Sequence, residues 1–433
     1  MRFREFNSPL LEFAPPTAPG ENAADLVFLL KNTKMTSADL DYILTSLKKI
    51  VKNPAPVEPP ETQPAPPPVQ QVPPAHLAAA QPPAELDIQE GITLSNKDQI
   101  LNFLNNANDS ELGPLVYQIS VKKFTDLAKV IVKKKIKSKA PESYKAVAAT
   151  IQSLSSTIDV QTMIAFLNAC DTGGVIDAPL MISGNAKNNA IMLTDPAFRD
   201  IAESFLNITL GSNAAVGKGE IGLAFMGIDS IKEVSDISVG GVPIEVKACQ
   251  GTSDFFMKGT VGKGGFGHQI GAVKIVINAL NKAGGKFKVS NEVGQGGIAS
   301  FNDKTVKALQ PYFQKMGANK TRNLLIEVLK EIHKNAPKVV DKYTNEIMAT
   351  VNNDGTINYN QLLIPTAKIN FDYYKEMSKH AGVLMLNLNS FIYTYQTDAD
   401  SFSSLVASGT LKQRGAIEFR SNSLGGLAYF LNN

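Results

Sequence analysis

Asp236, Glu245 and Lys247 stand in the stretch VSDISVGGVPIEVKA at a spacing that can gather two carboxylates and an amine on one face of a β-hairpin. Gly240-Gly241 supplies the turn signal, because both residues can take positive φ without steric cost. A two-residue loop there makes Val239 face Val242, Ser238 face Pro243, Ile237 face Ile244 and Asp236 face Glu245. The first pair beside such a loop is hydrogen-bonded, and the pair type alternates along the ladder. Pro243 thus falls at a non-hydrogen-bonded site, where its missing N–H breaks nothing. Asp236 and Glu245 fall at another, where facing side chains approach most closely. Two facing carboxylates repel, and a divalent cation would offset that repulsion. Hard cations such as Mg²⁺ take one or two carboxylates together with water and phosphate oxygens. The strand period of two puts Lys247 on the face of Glu245, while Ile244, Val246 and Ala248 alternate away. From there the lysine could orient or deprotonate an attacking water, or steady charge developing on a phosphate. A surface ion pair between Glu245 and Lys247 is the plain alternative, but it gives no reason for Asp236 to face Glu245.

Glu220 follows GKG and opens the apolar pattern EIGLAFMGI. An acid in the first turn of a helix often does no more than compensate the helix dipole. Beside the hairpin it becomes a third carboxylate. Glu220 in GKGEIGLAF, Asp236 in VSDISVGG and Glu245-Val246-Lys247 in PIEVKA together resemble the PD-(D/E)xK nuclease superfamily, which has the restriction-endonuclease-like fold. In that family a helix bearing an acid precedes a hairpin bearing the D…ExK signature. The resemblance implies that Asp236, Glu245 and the helix acid Glu220 contact Mg²⁺, with Mn²⁺ as a substitute. It also implies that the main-chain carbonyl of Val246 is a ligand and that Lys247 serves the water. The clear match spans residues 217–248, and Ser235 stands where the signature has proline. Family members often carry a polar residue on a helix after the ExK strand. Gln250 and Gln269 are candidates, the latter opening the apolar pattern QIGAVKIVINAL, where a simple polar helix start reads equally well.

GTVGKGGFG, residues 259–267, holds G-x-G-x-x-G at Gly262, Gly264 and Gly267. The dinucleotide fingerprint also needs a strand directly before it and an acid about twenty residues on. The preceding GTSDFFMK is a doubtful strand and the downstream acid is poorly placed. A flexible loop fits, or a loop beside the hairpin with Lys258 and Lys263 meeting phosphates. NNDGTIN, residues 352–358, lacks the later ligands of a calcium loop and reads as a turn. His76, His268, His333 and His380 show no metal spacing. Cys170 and Cys249 are the only cysteines, too few for a disulfide framework or a cysteine zinc site.

The elements that must position these residues fall into blocks. Residues 21–51 hold two short amphipathic patterns, with Ser37 as N-cap of the second. Residues 53–85 hold half of the chain's 24 prolines and read as an extended linker. Residues 86–185 read as a helical domain, with apolar residues three or four apart. Residues 186–433 alternate helical and strand-like patterns, with a helical insertion at about 300–350. The basic stretch 122–139 reads as a solvated helix face, with phosphate contact as the alternative. No apolar run reaches 18 residues and no secretory signal opens the chain, so no membrane partner and a reducing setting are expected.

The expected fold is therefore α/β, a restriction-endonuclease-like mixed sheet with a helical N-terminal domain and a helical insertion. The expected function is Mg²⁺-dependent hydrolysis of DNA phosphodiesters, endo or exo left open, with a protein partner for residues 1–52. The second reading is a structural or packaging protein, virion-associated, that uses a nuclease-like fold to bind DNA or protein. A third is a nucleotide-binding protein using the glycine loop. The short tail and proline tether are similar in style to tailed-phage proteins, which would place a phage-encoded chain in a host cytoplasm or a virion.

Overall fold

The structure is a computed structural model. It describes residues 21–52, 100, 109–137, 140–184, 186–210, 216–232, 236–250, 255–258, 265–288, 298, 300–419 and 426–432. The proline-rich segment 53–85 and the loop 259–264 lie outside the described residues. Two compact units emerge, residues 1–124 with 155–163, and residues 125–154 with 164–433. Residues 125–154 and 164–185, assigned by their periodicity to a separate helical domain, therefore group with the sheet.

In the first unit, α1 (Glu21–Asn32) and α2 (Ser37–Lys52) accompany the start of α3 (Asp109–Lys135). Leu26, Leu29, Leu30, Leu40, Ile43 and Leu112 are buried there. The cap of α2 is Thr36, one residue before the expected Ser37. Thr36 Oγ1 accepts from the Asp39 N–H at 3.2 Å, and Asp39 Oδ2 accepts from the Thr36 N–H at 2.8 Å. This reciprocal box satisfies two helix-end donors at once. Asp39 is fully buried and also pairs with Lys122 and Lys123. Those two lysines of the basic stretch thus neutralise a buried acid.

The second unit continues through α4 (Ala140–Leu154), α5 (Val160–Thr172), β1 (Ala186–Ala190), α6 (Arg199–Leu206) and α7 (Glu220–Met226). Then come β2 (Ser230–Lys232), β3 (Ile237–Val239), β4 (Val242–Cys249), β5 (Phe255–Lys258) and α8 (Gly265–Lys282). After β6 (Ser300–Phe301) follow α9 (Asp303–Met316), α10 (Ala318–Ile332) and α11 (Tyr359–Ser378). The chain closes with β7 (Gly382–Asn387), β8 (Ile392–Gln396), α12 (Ala399–Ala407), β9 (Leu411–Gln413), β10 (Ile417–Glu418) and β11 (Gly426–Leu431).

Six strands form a mixed sheet in the order β1-β8-β7-β4-β3-β2, antiparallel throughout except for β4 and β7. A parallel pair needs a long crossover, and the chain between β4 and β7 holds α8 to α11. The helical insertion expected near residues 300–350 is part of this connection. β5, the doubtful strand, is a strand after all. It pairs antiparallel with β11, which also pairs with β9, in a separate three-stranded sheet. β5 thus stands ahead of the glycine stretch, but its pairing is antiparallel, unlike the parallel βαβ unit a dinucleotide site requires.

α6 and α7 cross closely because Gly222 has no side chain; a Cβ there would lie 2.5 Å from the Phe205 carbonyl oxygen. Phe205 stacks on Phe225 at 4.9 Å, and Phe166 packs on Phe205 at 5.1 Å. Lys135 holds the far end of α7, its Nζ donating to the carbonyls of Gly227 at 2.8 Å and Phe225 at 3.3 Å. A cation at a helix C-terminus satisfies orphan carbonyls and suits the dipole. The edge of β2 is covered as well: Lys137 N–H donates to the Lys232 carbonyl at 3.1 Å.

Candidate metal centre

The hairpin forms in the register that its turn dictates. Gly240 and Gly241 have φ of 54° and 82°, the pair of positive values a two-residue loop of this kind needs. Val239 pairs with Val242, Ser238 with Pro243 and Ile237 with Ile244. Asp236 lies one position further, just ahead of β3, and its carboxyl is hydrogen-bonded to that of Glu245. Asp236 Oδ2 also accepts the Val246 N–H at 2.9 Å.

Glu245 is buried by contacts from far along the chain. Tyr374, on α11 and 129 positions downstream, donates its hydroxyl to Oε1. Lys247 pairs with the same oxygen. His380 Nε2 lies 2.5 Å from Oε2. The turn that delivers His380 uses Lys379 at φ 60°, the left-handed cap of α11. Ala381 N–H then donates to the Pro243 carbonyl at 2.9 Å, and β7 begins in parallel register with Gly382 beside Ile244. Both backbone contacts pin the imidazole against β4.

The electrostatics of the two acids diverge. Burial, followed by the hydrogen bond and charge of Glu245, holds the Asp236 carboxyl well above the usual carboxylate range. Burial pushes Glu245 the same way, but hydrogen bonds from Asp236 and His380 and the charge of Lys247 hold it well below. The two carboxyls are hydrogen-bonded to each other, so one of them holds the proton of that bond even with Lys247 and His380 beside them. A site that retains a proton at this point is one where a cation can replace it. Burial pulls Lys247 down, yet Glu245, Tyr374 and Asp236 raise it above an ordinary lysine, so it stays charged. That favours a positive charge aimed at an anion over the role of a base. Its side chain is 20% exposed, enough to meet a ligand entering from solvent.

Glu220 takes a different position. Its Oε2 lies 2.5 Å from Lys232 Nζ, and its Oε1 accepts the Gly217 N–H at 2.7 Å. Lys232 pairs with Ile237, and Ile237 with Ile244, so these three side chains share one face of the sheet. Glu245 and Lys247 alternate onto the other face. Burial lifts the Glu220 carboxyl above its ordinary range against the opposing pull of Lys232. Its charge still reaches Asp236, as the last of the causes that raise that residue.

Among the described residues, Asp236, Glu245 and His380 each offer a ligand atom, all within 4.8 Å of one another. The structure thus brings together Asp236, Glu245 and Lys247 from the expected set and adds His380 and Tyr374. Val246 enters through its N–H on Asp236. Gln250 accepts from Lys218. The side chains of Lys258 and Gln269, and all of Lys263, lie outside the described residues. His333 is buried in the helical layer, where its Nδ1 contacts the Leu329 carbonyl at 2.8 Å. The sequence carried no local signal for His380 or Tyr374, since neither stands at metal-ligand spacing from the hairpin. The donor set fits a divalent cation. Two hydrogen-bonded carboxyl groups hold a displaceable proton, and His380 Nε2 stands 2.5 Å from Glu245 Oε2. No protein-family model, no curated protein and no solved structure matches this chain.

Proposed function

We propose that this chain is a metal-dependent nuclease that hydrolyses DNA phosphodiester bonds, with the restriction-endonuclease-like fold as its core. The observation that carries the reading is the Asp236–Glu245 pair, a half-buried and a buried carboxyl hydrogen-bonded to each other in hairpin register, with Lys247 beside them. The order of a helix bearing Glu220, then the hairpin, within a mixed sheet supports the same reading. Asp236 and Glu245 would hold the cation, Mg²⁺ or Mn²⁺. When bound, such an ion polarises the phosphate and lowers the pKa of a water. Lys247 places a fixed positive charge where negative charge grows on the phosphate oxygens. Tyr374 fixes the rotamer of Glu245 and keeps one side of the site dry. Glu220, tied to Lys232, anchors the helix that packs beneath the hairpin.

The test is cleavage of supercoiled, linear and single-stranded DNA with Mg²⁺, with Mn²⁺ and with chelator, beside a Glu245→Ala/Lys247→Ala protein. Cleavage that needs metal and disappears in the variant is the expected result. A folded wild-type protein that cleaves none of these substrates with either metal would overturn the reading and leave a binding site for DNA or protein.

A further inference from the structure

We infer that His380 is a third ligand of the cation held by Asp236 and Glu245, and that its nitrogen makes the site prefer a divalent transition ion such as Mn²⁺ over Mg²⁺. This rests on the metal-dependent reading above and adds to it the identity of the ion.

Three independent observations meet at this residue. The ligand atoms of Asp236, Glu245 and His380 lie within 4.8 Å of one another, a separation one ion can bridge. The His380 side chain is only 9% exposed, so water is largely kept from the ring. Its Nε2 is the nitrogen aimed at the acids, 2.5 Å from Glu245 Oε2. An ion bridging His380 and Glu245 would take the place of the proton in that contact, since the ligating nitrogen of an imidazole must be unprotonated. With the ion on Nε2, the ring proton sits on Nδ1, the tautomer a neutral ligating imidazole then takes.

The position is also fixed in advance. The left-handed turn at Lys379 and the bond from Ala381 to the Pro243 carbonyl set the backbone on both sides of His380. A ligand pre-set in this way needs little reorganisation to bind.

Ligand chemistry then decides which ion. Mg²⁺ demands near-octahedral oxygen coordination and keeps several waters. Imidazole adds affinity for first-row transition ions, whose binding to mixed nitrogen and oxygen sites exceeds that of Mg²⁺. Two carboxylates and one imidazole make such a mixed set. An all-oxygen site on the same hairpin would lack this discrimination.

The experiment uses the full chain and reads binding, not cleavage. Mn²⁺ is titrated into wild type, His380→Gln and Asp236→Asn, and free Mn²⁺ is followed by its electron paramagnetic resonance signal, with Mg²⁺ as competitor. Gln at 380 can still donate to Glu245 while offering no imidazole. The expected result is Mn²⁺ binding to wild type that Mg²⁺ displaces only in large excess. His380→Gln should weaken Mn²⁺ by about tenfold or more, with Mg²⁺ affinity nearly unchanged, in line with the loss typical of altered metal sites. Electron spin-echo modulation from a directly bound ¹⁴N in the wild-type complex should accompany it, and this measurement stands even if the variant fails to fold. Mn²⁺ binding lost in Asp236→Asn but unchanged in His380→Gln, or absence of the ¹⁴N modulation, would overturn the role of His380 and leave the carboxylate site intact. Wild type that binds neither ion would overturn this inference together with the metal-dependent reading.

Discussion

Replacing Lys232 by Met should cost the second unit several kcal/mol, because it strands a buried acid. Lys232 and Glu220 side chains are 1% and 5% exposed and their charged atoms lie 2.5 Å apart. Without the ammonium, Glu220 keeps one short partner, the Gly217 N–H at 2.7 Å. Burial already lifts its carboxyl above the ordinary range, so the group would take up a proton in place of its partner. Removing one member of a buried pair typically costs about 3–5 kcal/mol. At roughly 2 °C per kcal/mol for a unit of this size, the melting temperature should fall by about 6–10 °C. Adding Glu220→Gln should recover at least half of the loss, since a neutral amide still accepts from Gly217 and needs no counter-charge. The assay is differential scanning calorimetry of the wild type, Lys232→Met and the double variant at pH 7. A Lys232→Met protein melting within about 2 °C of wild type, or a double variant no better than the single, would refute the buried-pair argument. The same proteins decide what Glu220 does. A folded double variant that binds Mn²⁺ as tightly as wild type leaves Glu220 as an anchor, whereas lost binding would return it to the ligand set.

Two further outcomes are expected. Burial holds His333 at a pKa of about 4, below its ordinary 6.5. The folded state therefore favours the neutral ring, so its contribution is complete above pH 6.5 and is lost as pH falls toward 4. At pH 4.5 this loss amounts to about 2–3 kcal/mol. Urea denaturation of His333→Leu should show a correspondingly shallower acid decline, and parallel pH profiles would sink the idea. Gly222→Ala places a Cβ 2.5 Å from the Phe205 carbonyl and 2.8 Å from Leu206 Cα. Neither backbone atom can swing away, so the variant should lose about 1–3 kcal/mol despite alanine's better helix propensity. A calorimetric melt unchanged from wild type would show that α6 and α7 separate freely.

Much of the hairpin was legible because its causes are local. Two glycines select the loop, the loop selects the register, and the register decides which residues face each other. Asp236 and Glu245 met for that reason alone, and Lys247 followed from the strand period. The helices at 199–206 and 220–226 were visible in their apolar spacing, while FDYYKEMSKH marked only the last part of the helix at 359–378. Other features were ambiguous even locally. Thr36 and Ser37 are both competent caps, and the reciprocal bond with Asp39 is what selects Thr36. FFMK has no alternation to mark it as a strand, and its pairing with residues 426–429 comes from the opposite end of the chain.

What the sequence by itself determined is a hairpin that sets two acids face to face with a lysine beside them. Tertiary structure decided the rest of the site. It put Glu220 on the other face, because Lys232 at the end of β2 lies in register with Ile237 and draws the acid to itself. It brought Tyr374 and His380 to Glu245 through the parallel pairing of β4 with β7, across a long helical connection. It also joined the two acids by a hydrogen bond that holds a proton, because burial and partners act only once both sheet faces are covered. Turn geometry and strand period act over a few residues and can be read in order along the chain. Apolar burial is non-directional, so a sequence pattern says that a face will be covered without saying by what. The identity of the cover, and with it the proposed third ligand, exists only in the folded chain.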